Sequence, residues 1–198
     1  DLYHAYGAIP LKLERYAQSF FFLGGGYKYV SAGEGACFLT VPKGIGLRPW
    51  QTGWFADYGS LEKGVNEKIG YANSAARFAG ATFDPTPWYR FNAVMNWWKE
   101  LGLDPEAIHS HARGLQNQFA SGLKKLSRPW SKAEILGQQT SADWANFLCL
   151  RMTNPQEIVT RLRQKDIFVD ARADFIRFGF GYYQSPDDVD RLLKALTE

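Results

Sequence analysis

Short apolar runs bounded by glycine open the chain, and longer stretches of helical periodicity take over after residue 86. Residues 2–18, around "HAYGAIPLKLERYAQ", carry the pattern of a turn and an amphipathic helix. "SFFFLGG" then predicts a buried strand, and "GACFLTVP" a second. From 43 to 87 glycine, proline and isolated aromatics alternate with no long period, which predicts irregular loops with short elements. "TPWYRFNAVMNWWKELG" predicts a helix with Thr86 as N-cap, Pro87 in the first turn and Gly102 as the stop. The next helix opens at Asp104 with Pro105 in its first position, and lysines close it. Past turn residues at 127–131 the order is strand, helix, strand, strand, helix: "WANFLCLRM", "NPQEIVTRLRQK", "IFVDAR", "FIRFGFGYY" and "SPDDVDRLLKAL", with Asn154 and Ser185 as N-caps before prolines. This is an α/β chain. The expected division runs 1–103 and 104–198, the second part being a small α/β domain with the helix at 104 as its bridge.

Composition sharpens the picture in a few places. The 198 residues hold enough apolar surface for a core, and 45% hydrophobic with 22% charged residues is ordinary for a globular protein. Aromatics at 16%, with seven Trp, exceed what such a core needs and point to ligand pockets or subunit interfaces. A net charge of +3 is too small to argue for nucleic acid. No apolar run reaches the ~20 residues that span a bilayer, and the N-terminus lacks a basic-then-apolar signal. Cys37 and Cys149 both stand in apolar strand-like runs, so buried free thiols and a reducing, cytoplasmic compartment are expected. His109 and His111, two apart on a helix, point to different faces and chelate poorly, so no metal is expected. Their stretch "HSHARGLQNQFASGLKKLSRPW" reads as a solvated helix face; a non-catalytic binding module is the reading outside enzyme chemistry.

The chemistry concentrates on "GGGYKYVSAGEG", where Lys28 stands between two tyrosines on a loop of small residues. An aldehyde cofactor such as pyridoxal phosphate needs an amine to capture it. It also needs a carboxylate for its ring nitrogen, donors for its phosphate and commonly an arginine for the substrate carboxylate. Each has a candidate in this chain.

The stretch "DLYHAYGAIPLKLERYAQSFFFLGGGYKYVSAGEGACFL" resembles the class V aminotransferase superfamily of pyridoxal-phosphate enzymes, and within it most closely kynureninase. Asp1, His4, Gly7, Tyr27, Lys28 and Tyr29 match that family in order and spacing, "TGWF" looks like its Gly-Trp-Phe, and "DARADFIRFGFGYY" resembles its C-terminal arginine segment. The resemblance implies a C-terminal part of a fold-type-I large domain followed by the small domain, present as a fragment, from an enzyme that is a homodimer with shared active sites. Lys28 would capture the cofactor and move protons at the substrate Cα. Asp1 would pair with the ring nitrogen, and His4 would lie beside the ring and orient Asp1. Tyr27 and Trp54 would donate to the phosphate, and Arg177 would hold the carboxylate of a small amino-acid substrate. Thr82 stands where kynureninases carry Asn and other class V members use Thr to reach a phosphate. That departure leaves open a class V aminotransferase, an epimerase, or a cysteine desulfurase or selenocysteine lyase. Desulfurases need a thiol on a mobile loop and usually carry His before the lysine.

Overall fold

The computed structural model describes residues 1–61, 69–136 and 144–197. The chain divides into two compact units. Unit 1 comprises Asp1–Tyr6 and Leu11–Leu101; unit 2 comprises Gly7–Pro10 and Gly102–Glu198.

In unit 1, β1 (Phe22–Gly25) pairs antiparallel with β2 (Cys37–Thr40), Gly25 lying opposite Cys37. The two predicted strands form, but only Gly24 and Gly25 of β1 are buried and no residue of β2 is. The expectation of a buried Cys37 is therefore corrected: the residue is exposed, because a two-stranded ribbon has no neighbour on its outer edge. The helix expected within 2–18 is also corrected to turns and one short 3-10 helix, Glu14–Tyr16. Gly7 at φ +77° and Pro10 break any longer period. The loop region contains 3-10 helices Trp54–Ser60 and Ala75–Phe78; its residues 62–68 lie outside the described residues. The buried Arg77 holds these loops by donating to the carbonyls of Ala72 at 2.9 Å and Leu47 at 3.0 Å. Helix α1 (Thr86–Glu100) ends at Gly102, φ +67°, as expected. Its start differs: Asp84, not Thr86, does the capping, accepting the Thr86 N–H at 2.9 Å, and hydrogen bonding from the Thr86 hydroxyl, then from its backbone N–H, holds the Asp84 carboxyl below the usual range.

Unit 2 is a three-stranded antiparallel sheet covered by helices. Strand β3 (Phe147–Arg151) and β4 (Asp170–Arg172) flank the central β5 (Phe175–Gly179). Helix α2 (Pro105–Leu123) is capped by Asp104, which accepts the Ala107 N–H at 2.7 Å. Its buried Ile108, Ala112, Leu115, Phe119 and Leu123 recur every three to four residues and make one apolar stripe. Helices α3 (Pro155–Arg163) and α4 (Pro186–Thr197) complete the layer. Ser185 and Asp188 cap α4 reciprocally, the Ser185 N–H donating to the Asp188 carboxylate at 2.8 Å and the Asp188 N–H to the Ser185 hydroxyl at 3.4 Å. Asn154 is corrected: it occupies the position before α3 in the left-handed region, φ 50°, and its side chain makes no cap bond. At Gly122 an added Cβ would stand 2.2 Å from Leu193 Cδ1, so any larger residue there has to displace the Leu193 side chain.

Strand alternation divides the sheet's side chains. Leu148, Leu150, Ile176 and Phe178 enter the core with Phe119, Phe180 and Leu196. Cys149, Arg177 and Asp170 stand on the opposite face.

Candidate active site around Lys28

Lys28 sits on a turn closed at its base, where the Ala32 N–H donates to the Gly26 carbonyl at 2.8 Å and the Ser31 N–H to the Lys28 carbonyl at 3.1 Å. Ser31 takes φ 58°, the left-handed conformation that so tight a reversal needs. Three glycines lead into the turn, where any side chain would have to displace an aromatic ring. An added Cβ would lie 2.9 Å from Phe38 at Gly24, 2.8 Å from Tyr3 at Gly25 and 2.6 Å from Phe91 at Gly26. From α1, Arg90 donates to the carbonyls of Ala32 and Glu34 and fixes the far limb of the turn. Composition gave no sign of that role. The Lys28 side chain is half-buried, its Nζ 5.1 Å from the centre of the Tyr27 ring.

The opening residues are attached to this turn. The Leu2 N–H donates to the Leu23 carbonyl of β1 at 2.7 Å, and the Asp1 carboxylate accepts the Tyr3 N–H at 2.7 Å. Tyr3 packs on Tyr27 with ring centres 5.3 Å apart and donates its hydroxyl to the Cys37 sulfur at 3.0 Å. That bond holds the Tyr3 phenol above its usual range. Tyr3, which the sequence did not single out, is thus the side chain joining the Asp1 and His4 turn to the Tyr27 and Lys28 turn. Asp1, His4 and Tyr27 are exposed.

Trp54 and Thr82 are brought together by backbone. The Gly53 N–H donates to the Ala79 carbonyl and the Phe55 N–H to the Gly80 carbonyl, both at 3.1 Å, which places the Trp54 segment beside the chain entering Thr82. Both residues are exposed, and the Trp54 ring lies against Phe55 and Tyr58.

Arg177 belongs to unit 2. It pairs across strands with Asp170, donating from Nη2 to the carboxylate, while Cys149 lies opposite it on β3. The row Cys149, Arg177, Asp170 therefore crosses all three strands on one face. The hydrogen bond from Arg177, aided by its charge and that of Arg172, holds the Asp170 carboxyl below its usual range. Burial pushes the Cys149 thiol up; Arg177 opposes this and Asp170 reinforces it. Alkylation of Cys149 in a Cys37→Ser background checks the arrangement: Asp170→Asn lowers the pH midpoint of the reaction and Arg177→Gln raises it. Equal or absent shifts would contradict the row. The stability that Asp170 adds is present above its unfolded pKa and is lost as pH falls through its lower folded value. With both partners partly exposed, this amounts to about 1 kcal/mol at most.

Among the described residues no group of three or more His, Cys, Asp or Glu could hold a metal ion, and no helix is long and apolar enough to cross a membrane. No protein-family model matches the chain, and no curated protein sequence matches it. Solved structures do. The cystine C–S lyase C-DES, in complex with its product cysteine persulfide, superposes with TM-score 0.76 at 19% identity, covering 98% of this chain and 50% of that one. The cysteine desulfurase of Thermococcus onnurineus NA1 gives 0.82 at 15% identity, covering 98% and 50%. A NifS-like protein of Rickettsia africae ESF-5 gives 0.71 at 16%, covering 99% and 51%. The chain spans about half the length of the structures it matches. Its fold is that of about half of a fold-type-I pyridoxal-phosphate-dependent enzyme.

Proposed function

We propose that this chain supplies the lysine-bearing part of a pyridoxal-phosphate enzyme of the class V aminotransferase kind that breaks a bond at Cβ of an amino acid, with a carbon–sulfur bond as the target. One observation carries the assignment of the site: a half-buried amine on a glycine-led turn, to which the Asp1 segment is joined through Leu2 and Tyr3. The donor set fits the cofactor. Lys28 offers a primary amine, Asp1 a carboxylate, and Tyr27, Trp54 and Thr82 offer N–H or O–H donors suited to a phosphate. Bound there, pyridoxal phosphate supplies an electron sink for negative charge at the substrate Cα.

The residues then divide the work. With the cofactor bound, Asp1 would hold its ring nitrogen protonated, and His4 would orient Asp1. The Lys28 amine takes the proton from the substrate Cα as general base. Arg177 grips the substrate carboxylate with its planar fork, a role in which substrate competes with Asp170 for the same guanidinium. The Cα–H and Cβ–S bonds break, the sulfur leaves with the electron pair, and water then converts the carbon skeleton to pyruvate and ammonia. A homodimer with shared sites suits the exposed Trp50, Trp54, Tyr58 and Phe83 of the 48–88 loops.

Cleavage at sulfur is favoured over the kynureninase reaction because likeness along nearly the whole chain is to a C–S lyase and desulfurases. The kynureninase resemblance rests on the short Asp1 to Tyr29 pattern, and Thr82 departs from it. Within this chain Cys37 and Cys149 both lie in strands and not on the loop that a sulfur-storing thiol needs, which favours the lyase form of the reaction as far as these residues go. The protein containing this chain, supplied with cofactor, is to be assayed against L-cystine, L-cysteine, L-kynurenine, and L-alanine with a keto acid. Pyruvate from cystine at the highest rate is the expected result. Anthranilate from kynurenine as the dominant activity would replace the reading.

A further inference from the structure

Unit 2 carries a separate concavity of about 700 Å³, whose lining includes Arg128, Trp130, Lys132, Arg151, Met152 and Arg161. Four cations line it, and no described lining residue is acidic. Arg151 is engaged by Glu134 and Asp174. Arg128, Lys132 and Arg161 have no such partner: no described carboxylate pairs with any of them. Arg161 is the telling residue. Its Nε is closed off from solvent and has no hydrogen-bond partner among the described residues. An atom closed to water is closed to a phosphate oxygen as well, so a ligand in the concavity would meet the rest of the Arg161 guanidinium and not its Nε.

The concavity also has a firm apolar wall. Trp130 and Leu196 are buried and joined by the indole N–H donating to the Leu196 carbonyl at 3.0 Å, with the buried Met152 also in the lining. Thr153 and Ser127 add hydroxyls. Several cations that no described carboxylate pairs suit a group bearing more than one negative charge, which phosphate offers and a single carboxylate does not. The volume exceeds that of a bare phosphate, so part of the ligand has to lie on the wall. We propose that this concavity binds a small molecule carrying a phosphate or pyrophosphate group, held by Arg161 with Arg128 and Lys132, its less polar part against Trp130. The proposal does not depend on the chemistry at Lys28.

Titration calorimetry of the chain with inorganic pyrophosphate at constant ionic strength tests it. One saturable site is expected, with inorganic phosphate competing. Arg161→Met weakens binding by about tenfold or more, the worth of a hydrogen bond to a charged group. Arg163→Gln, on the same helix but outside the lining, leaves binding unchanged and reports on diffuse charge alone. Should Arg161→Met unfold, Lys132→Gln on the exposed rim serves instead and weakens binding severalfold. Absence of saturation, equal weakening by Arg163→Gln, or binding of hexaglutamate but not pyrophosphate would each overturn the assignment.

Discussion

Replacing Lys28 by alanine in the protein that carries this chain is expected to lower turnover by about 10²–10⁴-fold, the usual contribution of a positioned proton-transfer group. Two readings of the side chain compete. In one it is a cation resting on the Tyr27 ring, 5.1 Å from its centre, and keeps the turn in shape. In the other its amine exchanges a proton with substrate. Lys28→Arg separates them, because a guanidinium stacks on an aromatic ring at least as well as an ammonium but does not give up its proton. Structure alone predicts an active arginine variant; proton transfer predicts one as inactive as alanine. Methylamine added to the alanine variant should restore part of the rate, and added to the arginine variant none. Steady-state kinetics with the best substrate supply the measurement. A folded Lys28→Ala protein at full rate would remove Lys28 from the chemistry.

What the sequence revealed, and what it hid, follows the range of each interaction. Asp104, Pro105 and Gly102 act within a few residues of their own position, and the helix boundaries they mark appear where local chemistry puts them. Asn154 has the same outward signature as Ser185, yet its left-handed backbone turns the side chain away from the cap; dipeptide identity does not encode that angle. Thr86 misleads for a similar reason, since Asp84, two residues earlier, accepts the Thr86 N–H. Cys37 is exposed although its neighbours are apolar, because apolar neighbours mark a segment as a strand but not how many strands lie beside it. The site follows the same logic. Lys28 and its glycines stand out as a local anomaly in composition. Tyr3 against Tyr27, Arg90 against the turn carbonyls and Asp170 against Arg177 are pairings that only chain reversal creates. Of these, Asp170 and Arg177 had the best chance of being seen, because residues seven apart across a short turn often face one another in a hairpin.

Phe119→Ala is expected to destabilise unit 2 by roughly 3–5 kcal/mol, the cost of emptying a large aromatic from a closed core. Phe119 is fully buried, with its ring 4.9 Å from that of Phe178 and 5.8 Å from that of Phe180. It is therefore where the α2 stripe meets the inner face of the sheet, and neighbours held by β3 and β5 ladders have little freedom to fill the void. A whole domain is stable by only about 5–15 kcal/mol, so the substitution removes a large share of the total. Tyr183→Ala, on a ring that is 74% exposed, provides the contrast and should change stability by no more than about 0.5 kcal/mol. Amide exchange at Leu148, Leu150, Ile176 and Phe178 reads the effect inside unit 2. Protection there should fall by about 10²–10⁴-fold for Phe119→Ala, the exchange equivalent of that energy. Equal protection in the two variants would mean that α2 is not part of the cooperative core of unit 2. The face carrying Arg177 would then lack the rigid backing on which its proposed grip on a substrate carboxylate depends.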